Sequence, residues 1–349
     1  MKTKITKIDP NYFDDEALRE AGELIKNGQL VAFPTETVYG LGANALDASA
    51  CDAVFEAKMR PHDNPLIVHV LSPADFSTYA YTENQPLLNE LSRRFIPGPL
   101  TVILPKKPII PDSVTVGLGT VALRCPSHPV ARALIRVSGC PIAAPSANRS
   151  GRPSPTKASH VFEDMNEIIP MILDGGEADV GLESTVISLK GDEIHLLRPG
   201  FVTVEDLKQV TDKVIVSPAV LSALEQGVRP ESPGMKYRHY APKAPVTMVF
   251  GDDEKVLEFF REKLSEGCGI LCFDEDYENL SGTDFDQNLI CFGSKYDLLS
   301  QASGLFDALR KFDSVAVPQI FTRETSRDDL GLAISNRLLR ACAFNCIEV

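Results

Sequence analysis

The stretch IAAPSANRSGRPSPT, residues 142–156, is the one around which the rest of the chain is organised. It lies inside a window, 113–162, of fifty consecutive residues without an Asp or a Glu, where the chain's 48 acids in 349 residues would place about seven. The window carries Arg124, Arg132, Arg136, Arg149, Arg152 and Lys157 instead, with His128 and His160. A chain of formal net charge -13 that clears one region of negative charge places an anion there. Arg132 and Arg136 stand four apart on a helix expected at 129–137. They read as its solvated face and are set aside.

Working outward, 349 residues are enough for two domains, each with its own core. No run approaches ~18 apolar residues, so no membrane span is expected. The opening MKTKITKIDP has no apolar stretch of the signal-peptide kind. Eight cysteines form neither a CxxC pair nor a zinc spacing. They read as reduced, mostly buried thiols, and the expected compartment is the cytoplasm. Net acidity argues against a general nucleic-acid binder and for a small anion in a local pocket.

The periodicity predicts a helix over 14–28, a strand over 30–33 and then the polar turn PTETVYGLGAN directly after that strand. A helix at 49–59 ends in KMRP, and the strand LIVHVL follows at 66–71. A helix around 86–95 leads through Pro-Gly-Pro to the strand LTVILP. VTVGLGTVALRCP, from 114, reads as a strand with a glycine turn, and CPIAAP as another. Thr156 is the expected N-cap of the next helix, and Thr203 with Asp206 forms a capping box. MILDGG, STVISL and HLLRPG complete the first unit, 1–212.

Residues 213–244 read as a proline-rich linker. The consecutive Lys236, Tyr237, Arg238, His239 and Tyr240 imply that it folds back over a site as a lid. From 245 to 349 a second α/β unit alternates strands and helices: VTMVF, a helix at 253–266, GILCF, NLICF, a helix at 297–311, SVAVPQIF and a closing helix at 330–342. It has neither a GxGxxG nor a P-loop.

Cations suited to phosphate or carboxylate stand at expected element ends: Lys58 with Arg60, Arg124, and Arg198 in LLRPG. The hydroxyls of Ser146, Ser150, Ser154, Ser184 and Thr185 accompany them. Ser146 lacks the GxSxG elbow, and the six histidines make no HExxH. Asp174 and Glu183 are candidate metal ligands, although Asp-Gly is first a turn signal. His69, alternating with apolar neighbours, reads equally as a core histidine. The residues alone lead to a phosphate-rich small substrate held by cations and hydroxyls, with no covalent nucleophile.

In order, FPTETVYGLGANA, KMRPHDNPLIVHV, PGPLT, TVALRCP, PIAAPSANRSGRPSPT, DGG, ESTVI and LLRPG resemble the YrdC-like threonylcarbamoyl-AMP synthases. SPGMKYRHYAP and the unit after it resemble the long, two-domain form of that family. Ile96 stands where the family often has Trp. The resemblance implies an α/β fold: a YrdC-like open twisted mixed sheet with a large concave groove, followed by a smaller Rossmann-like C-terminal domain. It implies synthesis of L-threonylcarbamoyl-AMP and pyrophosphate from L-threonine, bicarbonate and ATP. It also implies a downstream threonylcarbamoyl transferase acting in tRNA modification, without stable tRNA binding by this chain.

By the same resemblance, Thr35, His69, Arg124, Ala144 and Ser184 bind threonine. Lys58, Arg60, Asn64, Thr120, Ser146, Asn148, Ser154 and Arg198 surround ATP, and Tyr237, Arg238 and Tyr240 close over it. Mg2+ is expected on the ATP phosphates without protein ligands. Two other readings stay open to experiment. An RNA-binding module would show steeply salt-dependent RNA affinity and no ATP turnover. A carbamoyl-transfer enzyme of hydrogenase maturation would carry zinc-finger cysteine pairs and an acylphosphatase-like part, which this sequence lacks.

Overall fold

A computed structural model of the chain describes residues 2–12, 15–222 and 239–349. Eleven strands form one mixed sheet in the spatial order Lys4–Lys7, Met171–Asp174, Val31–Phe33, Gly40–Asn44, Ile142–Ala143, Ile67–His69, Thr120–Arg124, Leu100–Pro105, Thr185–Lys190, Glu193–Arg198 and Val214–Val216. Ile67–His69 and Thr120–Arg124 run parallel, with His69 opposite Arg124. Register partners project from the same face of a sheet, so these two side chains emerge side by side.

Local chemistry places the flanking helices. Asp47 accepts from the amides of Ser49 and Ala50 to start Ala48–Lys58, and Met59, at φ 52°, ends it. That stop turns the chain so that Lys58 reaches the 146–148 loop and Arg60 the backbone of residues 64–65. Pro129 at the first position and Gly139 at φ 63° bound Pro129–Ser138. Leu134 and Ile135 of that helix share a cluster with Leu18, Ala21 and Ile25 of Asp15–Lys26.

The second sheet has five parallel strands in the order Leu289–Cys291, Gly269–Cys272, Ile320–Arg323, Val246–Phe250 and Cys346–Glu348. Helices Asp253–Ser265, Leu298–Lys311 and Gly331–Ala341 alternate with its strands. Its apolar core takes in Val38 and Leu182 from the first unit, beside Met248, Phe306, Leu309 and Leu338. Gly181, at φ +77°, lies so close to Leu298–Lys311 that an added Cβ would stand 2.5 Å from Ser303 Cα. Gly181→Ala combines that clash with a left-handed backbone. It is expected to cost about 1–3 kcal/mol of stability in urea melts, and an unchanged midpoint would mean the interface yields freely.

Several elements differ from the sequence reading. Asp112–Thr115 is a helical turn ending at Val116, φ 49°, so the expected strand begins only at Thr120. Thr156 caps nothing. Its amide donates to His160 Nδ1 (3.3 Å), and Ala158–Met165 starts after Lys157 without a side-chain cap. Residues 214–216 fall in the expected linker, yet they pair in parallel with Glu193–Arg198. The strand expected over 314–321 is confined to Ile320–Arg323, since Pro318 has no amide for a ladder. A final strand, Cys346–Glu348, follows the closing helix. Arg132 is half-buried and donates to Leu71 O (3.0 Å), so it braces a loop, whereas Arg136 is exposed as expected.

Candidate active site

Over the first sheet lies a cavity lined by residues of the first unit and by His239 and Tyr240. Thr35, Thr37 and Val38 line it from the turn after Val31–Phe33, and Lys58, Arg60, His69 and Arg124 from the sheet side. Ala144, Ser146, Asn148 and Ser150 enter from the acid-free window, with Glu183, Ser184 and Arg198 opposite and His239 and Tyr240 above. Residues 223–238, Tyr237 and Arg238 among them, lie outside the described residues.

Arg124 dominates one half. It is 4% exposed, and its Nη2 stands 2.8 Å from Glu36 Oε1. That contact is an ion pair by distance but is not aligned as a hydrogen bond, and among the described residues neither Nε nor Nη2 has a hydrogen-bond partner. Burial pushes the Glu36 carboxyl up, but the charge and proximity of Arg124 outweigh it and hold the group below its ordinary value. A buried guanidinium whose Nε donor has no partner among the described residues, on a cavity wall, is suited to an incoming carboxylate.

His69 is beside it. Burial, reinforced by Arg124, lowers its pKa to about 3, so the ring is neutral at neutral pH. Its Nδ1 lies 3.2 Å from Ile67 O and 3.3 Å from Ile142 O. Carbonyls only accept, so this nitrogen carries the proton and Nε2 is left as an acceptor. Thr35 Oγ1 donates to Val38 O (2.6 Å) and accepts from the Thr37 and Val38 amides, which locks the turn.

The other half holds three basic side chains. Arg198 donates to Ser184 O from Nε (3.1 Å) and Nη2 (2.9 Å), and from Nη2 to Ser184 Oγ (3.1 Å). Arg60 donates to Asn64 O (3.0 Å) and Pro65 O (3.1 Å). Burial lowers both guanidinium pKa values to about 10, leaving them charged at neutral pH. Lys58 Nζ donates to Ser146 O and Asn148 O, thereby bracing the loop that lines the cavity. Burial and the charge of Arg60 push its pKa well down.

Most residues expected at the site do meet here, but three do not line the cavity. Asn64 contributes its backbone oxygen to Arg60, while its own Oδ1 is buried without a hydrogen-bond partner. Thr120 opens the strand whose other end is Arg124, beyond the cavity's reach. Ser154 is fully buried and donates its Oγ to Glu183 Oε1. Glu183 and Asp174, read as candidate metal ligands, have other partners. Glu183 also accepts from Arg337 Nε (2.7 Å), and Asp174 accepts from the Gly176 amide (3.1 Å). Among the described residues no group of three or more His, Cys, Asp or Glu could hold a metal ion.

The sequence reading missed Glu36 and Arg337. Glu36 sits between two threonines in a turn, and Arg337 lies on a helix whose pattern reads as core. Neither carries a local signal for the role its partner gives it.

His69 and His239 are both held near 3 by burial, His239 with help from Arg60. An unfolded histidine titrates near 6.5. Between those values the unfolded chain takes up protons that the native one refuses. Stability is therefore full above about pH 6.5 and falls as pH drops. Melting temperature is expected to decline between about pH 6.5 and 5, and His69→Gln to flatten that decline. An identical slope in the variant would show that His69 contributes nothing.

Comparison with known proteins follows the same outline. Residues 23–200 match the Sua5/YciO/YrdC family, described as telomere recombination. Residues 202–343 match the family described as threonylcarbamoyl-AMP synthase, C-terminal domain. The threonylcarbamoyl-AMP synthase of Bacillus subtilis (strain 168) is 43% identical, with 100% of both chains covered. That of Pyrococcus abyssi (strain GE5 / Orsay) is 44% identical over 95% of this chain and 96% of its own. The crystal structure of P. abyssi Sua5 complexed with L-threonine superposes with a TM-score of 0.91 at 42% identity, covering 99% of this chain and 100% of that one.

Proposed function

The chain belongs to the two-domain threonylcarbamoyl-AMP synthase family, and from that premise we propose how its cavity divides the work. Its activity is synthesis of L-threonylcarbamoyl-AMP for threonylcarbamoyladenosine modification of tRNA. As a reaction class this is nucleotidyl transfer, with L-threonine, bicarbonate and ATP as substrates and pyrophosphate as the second product. A separate threonylcarbamoyl transferase would consume the product. No helix of the described residues is long and apolar enough to cross a membrane. With eight unpaired cysteines, we place the reaction in the cytoplasm.

One observation carries this reading. Four basic side chains, Lys58, Arg60, Arg124 and Arg198, converge on a single cavity together with a neutral histidine. Arg124 is assigned the threonine carboxylate, which its Nε, without a hydrogen-bond partner among the described residues, suits. His69 Nε2, Thr35 and the backbone at Ala144 would orient the amino acid beside it. Ser184 sits between the halves, held by Arg198. Lys58, Arg60, Ser146, Asn148 and Arg198 are assigned to ATP, with Tyr240 above and Tyr237 and Arg238 closing from the linker. Asn64, Thr120 and Ser154 would act on ATP through the groups they hold or through closure.

The chemistry needs little from a general base. The unprotonated amine of threonine adds to the carbon of bicarbonate, and loss of water leaves a carbamate. A carbamate oxygen then attacks the α-phosphorus of ATP, the bond to the β-phosphate oxygen breaks, and pyrophosphate leaves. The nucleophile is already anionic, so the protein's tasks are to bring two anions together and to spread the transferred charge. Ser146 Oγ donates to Asn148 Oδ1, which fixes its direction in the loop.

Glu183, which lines the cavity, is already engaged with Arg337 and Ser154, and Glu36 is engaged with the cavity's Arg124. The residues present therefore do not fit a protein-held magnesium site. Mg2+ would ride on the triphosphate, where it offsets phosphate charge.

The test is pyrophosphate release with ATP, bicarbonate and threonine, each omitted in turn. Release that requires all three supports the reading. Release independent of threonine, or RNA binding without turnover, would overturn it.

A further inference from the structure

We propose that Arg337, on the second unit's helix Gly331–Ala341, is a positioning residue for the nucleotide half of the cavity, holding Glu183 and through it Ser154. All eleven residues of that helix are buried, and Arg337 is 0% exposed. Its guanidinium is engaged on three sides. Nε donates to Glu183 Oε2 (2.7 Å), Nη1 to Asn336 Oδ1 (2.7 Å) and Nη2 to Pro199 O (3.0 Å). The plane also lies 5.5 Å from the centre of the Tyr240 ring. The other Glu183 oxygen accepts from Ser154 Oγ. One side chain thus joins three segments that border the cavity and are far apart in sequence: 183–184, 198–199 and Tyr240.

The neighbouring helix grips the same loop one residue earlier. Arg310, on Leu298–Lys311, donates to Pro153 O (2.6 Å) and Asp164 Oδ2 (2.7 Å). Side chains of the second unit therefore hold residue 153 directly and Ser154 through Glu183. Glu183 is buried and lines the cavity itself, so its orientation decides whether Ser154 stays withdrawn and where the 146–154 loop presents its hydroxyls. A planar fork can serve a carboxylate and a carbonyl together, whereas an ammonium is a single point charge. Arg337→Lys keeps the charge but cannot span both Glu183 and Pro199.

This inference rests on the nucleotide reading of the 146–154 loop. Its test is steady-state pyrophosphate release by full-length Arg337→Lys and Arg337→Met, with KM taken separately for ATP and for threonine and folding checked by thermal melting. Arg337→Lys is expected to raise the ATP KM about tenfold and Arg337→Met by more, with the threonine KM within about twofold of wild type. An unchanged ATP KM in Arg337→Lys would overturn the proposal. So would equal rises in both KM values, or a loss of kcat that only follows the folded fraction. If Arg337→Met does not fold, Arg337→Lys decides alone. A wild-type chain inactive in the same assay would instead sink the reading of the function.

Discussion

Replacing Arg124 by alanine is expected to abolish threonine-dependent pyrophosphate release. Two effects coincide at this residue. The first is on binding: the carboxylate of the amino acid loses its charged donor, worth about 1.5–3 kcal/mol or one to two decades in affinity. The second is on stability, because Glu36 is left buried with its counter-charge removed. Breaking a buried pair from one side typically costs about 3–5 kcal/mol. The double variant Glu36→Gln/Arg124→Ala separates the two. It is expected to recover most of the stability in urea melts while remaining inactive with threonine. Near-normal turnover of Arg124→Ala at ordinary threonine concentrations would remove Arg124 from the substrate site. Recovery of activity in the double variant would make its role purely structural.

Ending the chain after Ser222 is expected to raise the ATP KM by at least about tenfold and to lower stability. The cut belongs there and not near residue 212, because Val214–Val216 still pairs with the first sheet. The shortened protein loses the linker and its tyrosines. It also uncovers Val38 and Leu182, which pack into the second core, and leaves Glu183 without Arg337. Exposed apolar surface costs about 25 cal/mol per Å², so the melting temperature should fall together with ATP use. A truncated chain with full-length kinetics would show that the second unit and the linker have no part in the nucleotide site.

How much of this was legible in the sequence differed from residue to residue. Arg124, Ser184 and Arg198 could be placed because each closes or borders a short apolar strand, where side chains of α/β sheets meet ligands. The loop at 146–154 announced itself through its serines, its glycine and the absence of acids around it. Glu36 could not be read that way. Its partner is 88 positions away and reaches it only through the sheet, so locally it is one more polar turn residue.

Glu183 was read as a metal candidate, since an acid beside hydroxyls looks the same whether its partner is a cation or an arginine. Arg337 was hidden more thoroughly, inside a helix whose periodicity predicts a core element and whose burial on every face comes from packing between units. Thr156 shows a limit of local propensity. It is a good cap by type, yet His160 takes its amide and the helix starts later. The resemblance assigns Asn64 and Thr120 to ATP, yet neither lines the cavity: Asn64 offers its backbone oxygen to Arg60, and Thr120 stands at the far end of the strand from Arg124.

The central claim is that one cavity joins a threonine-derived carbamate to the α-phosphate of ATP. Phosphorus NMR of the full-length protein with ATP, threonine and 18O-labelled bicarbonate addresses it most directly. The account predicts pyrophosphate and a new adenylate resonance appearing together, one for one, only when threonine is present. Label from bicarbonate should shift that adenylate resonance, since the attacking oxygen comes from the carbamate. Formation of ADP and orthophosphate, or an adenylate that carries no label, would contradict it.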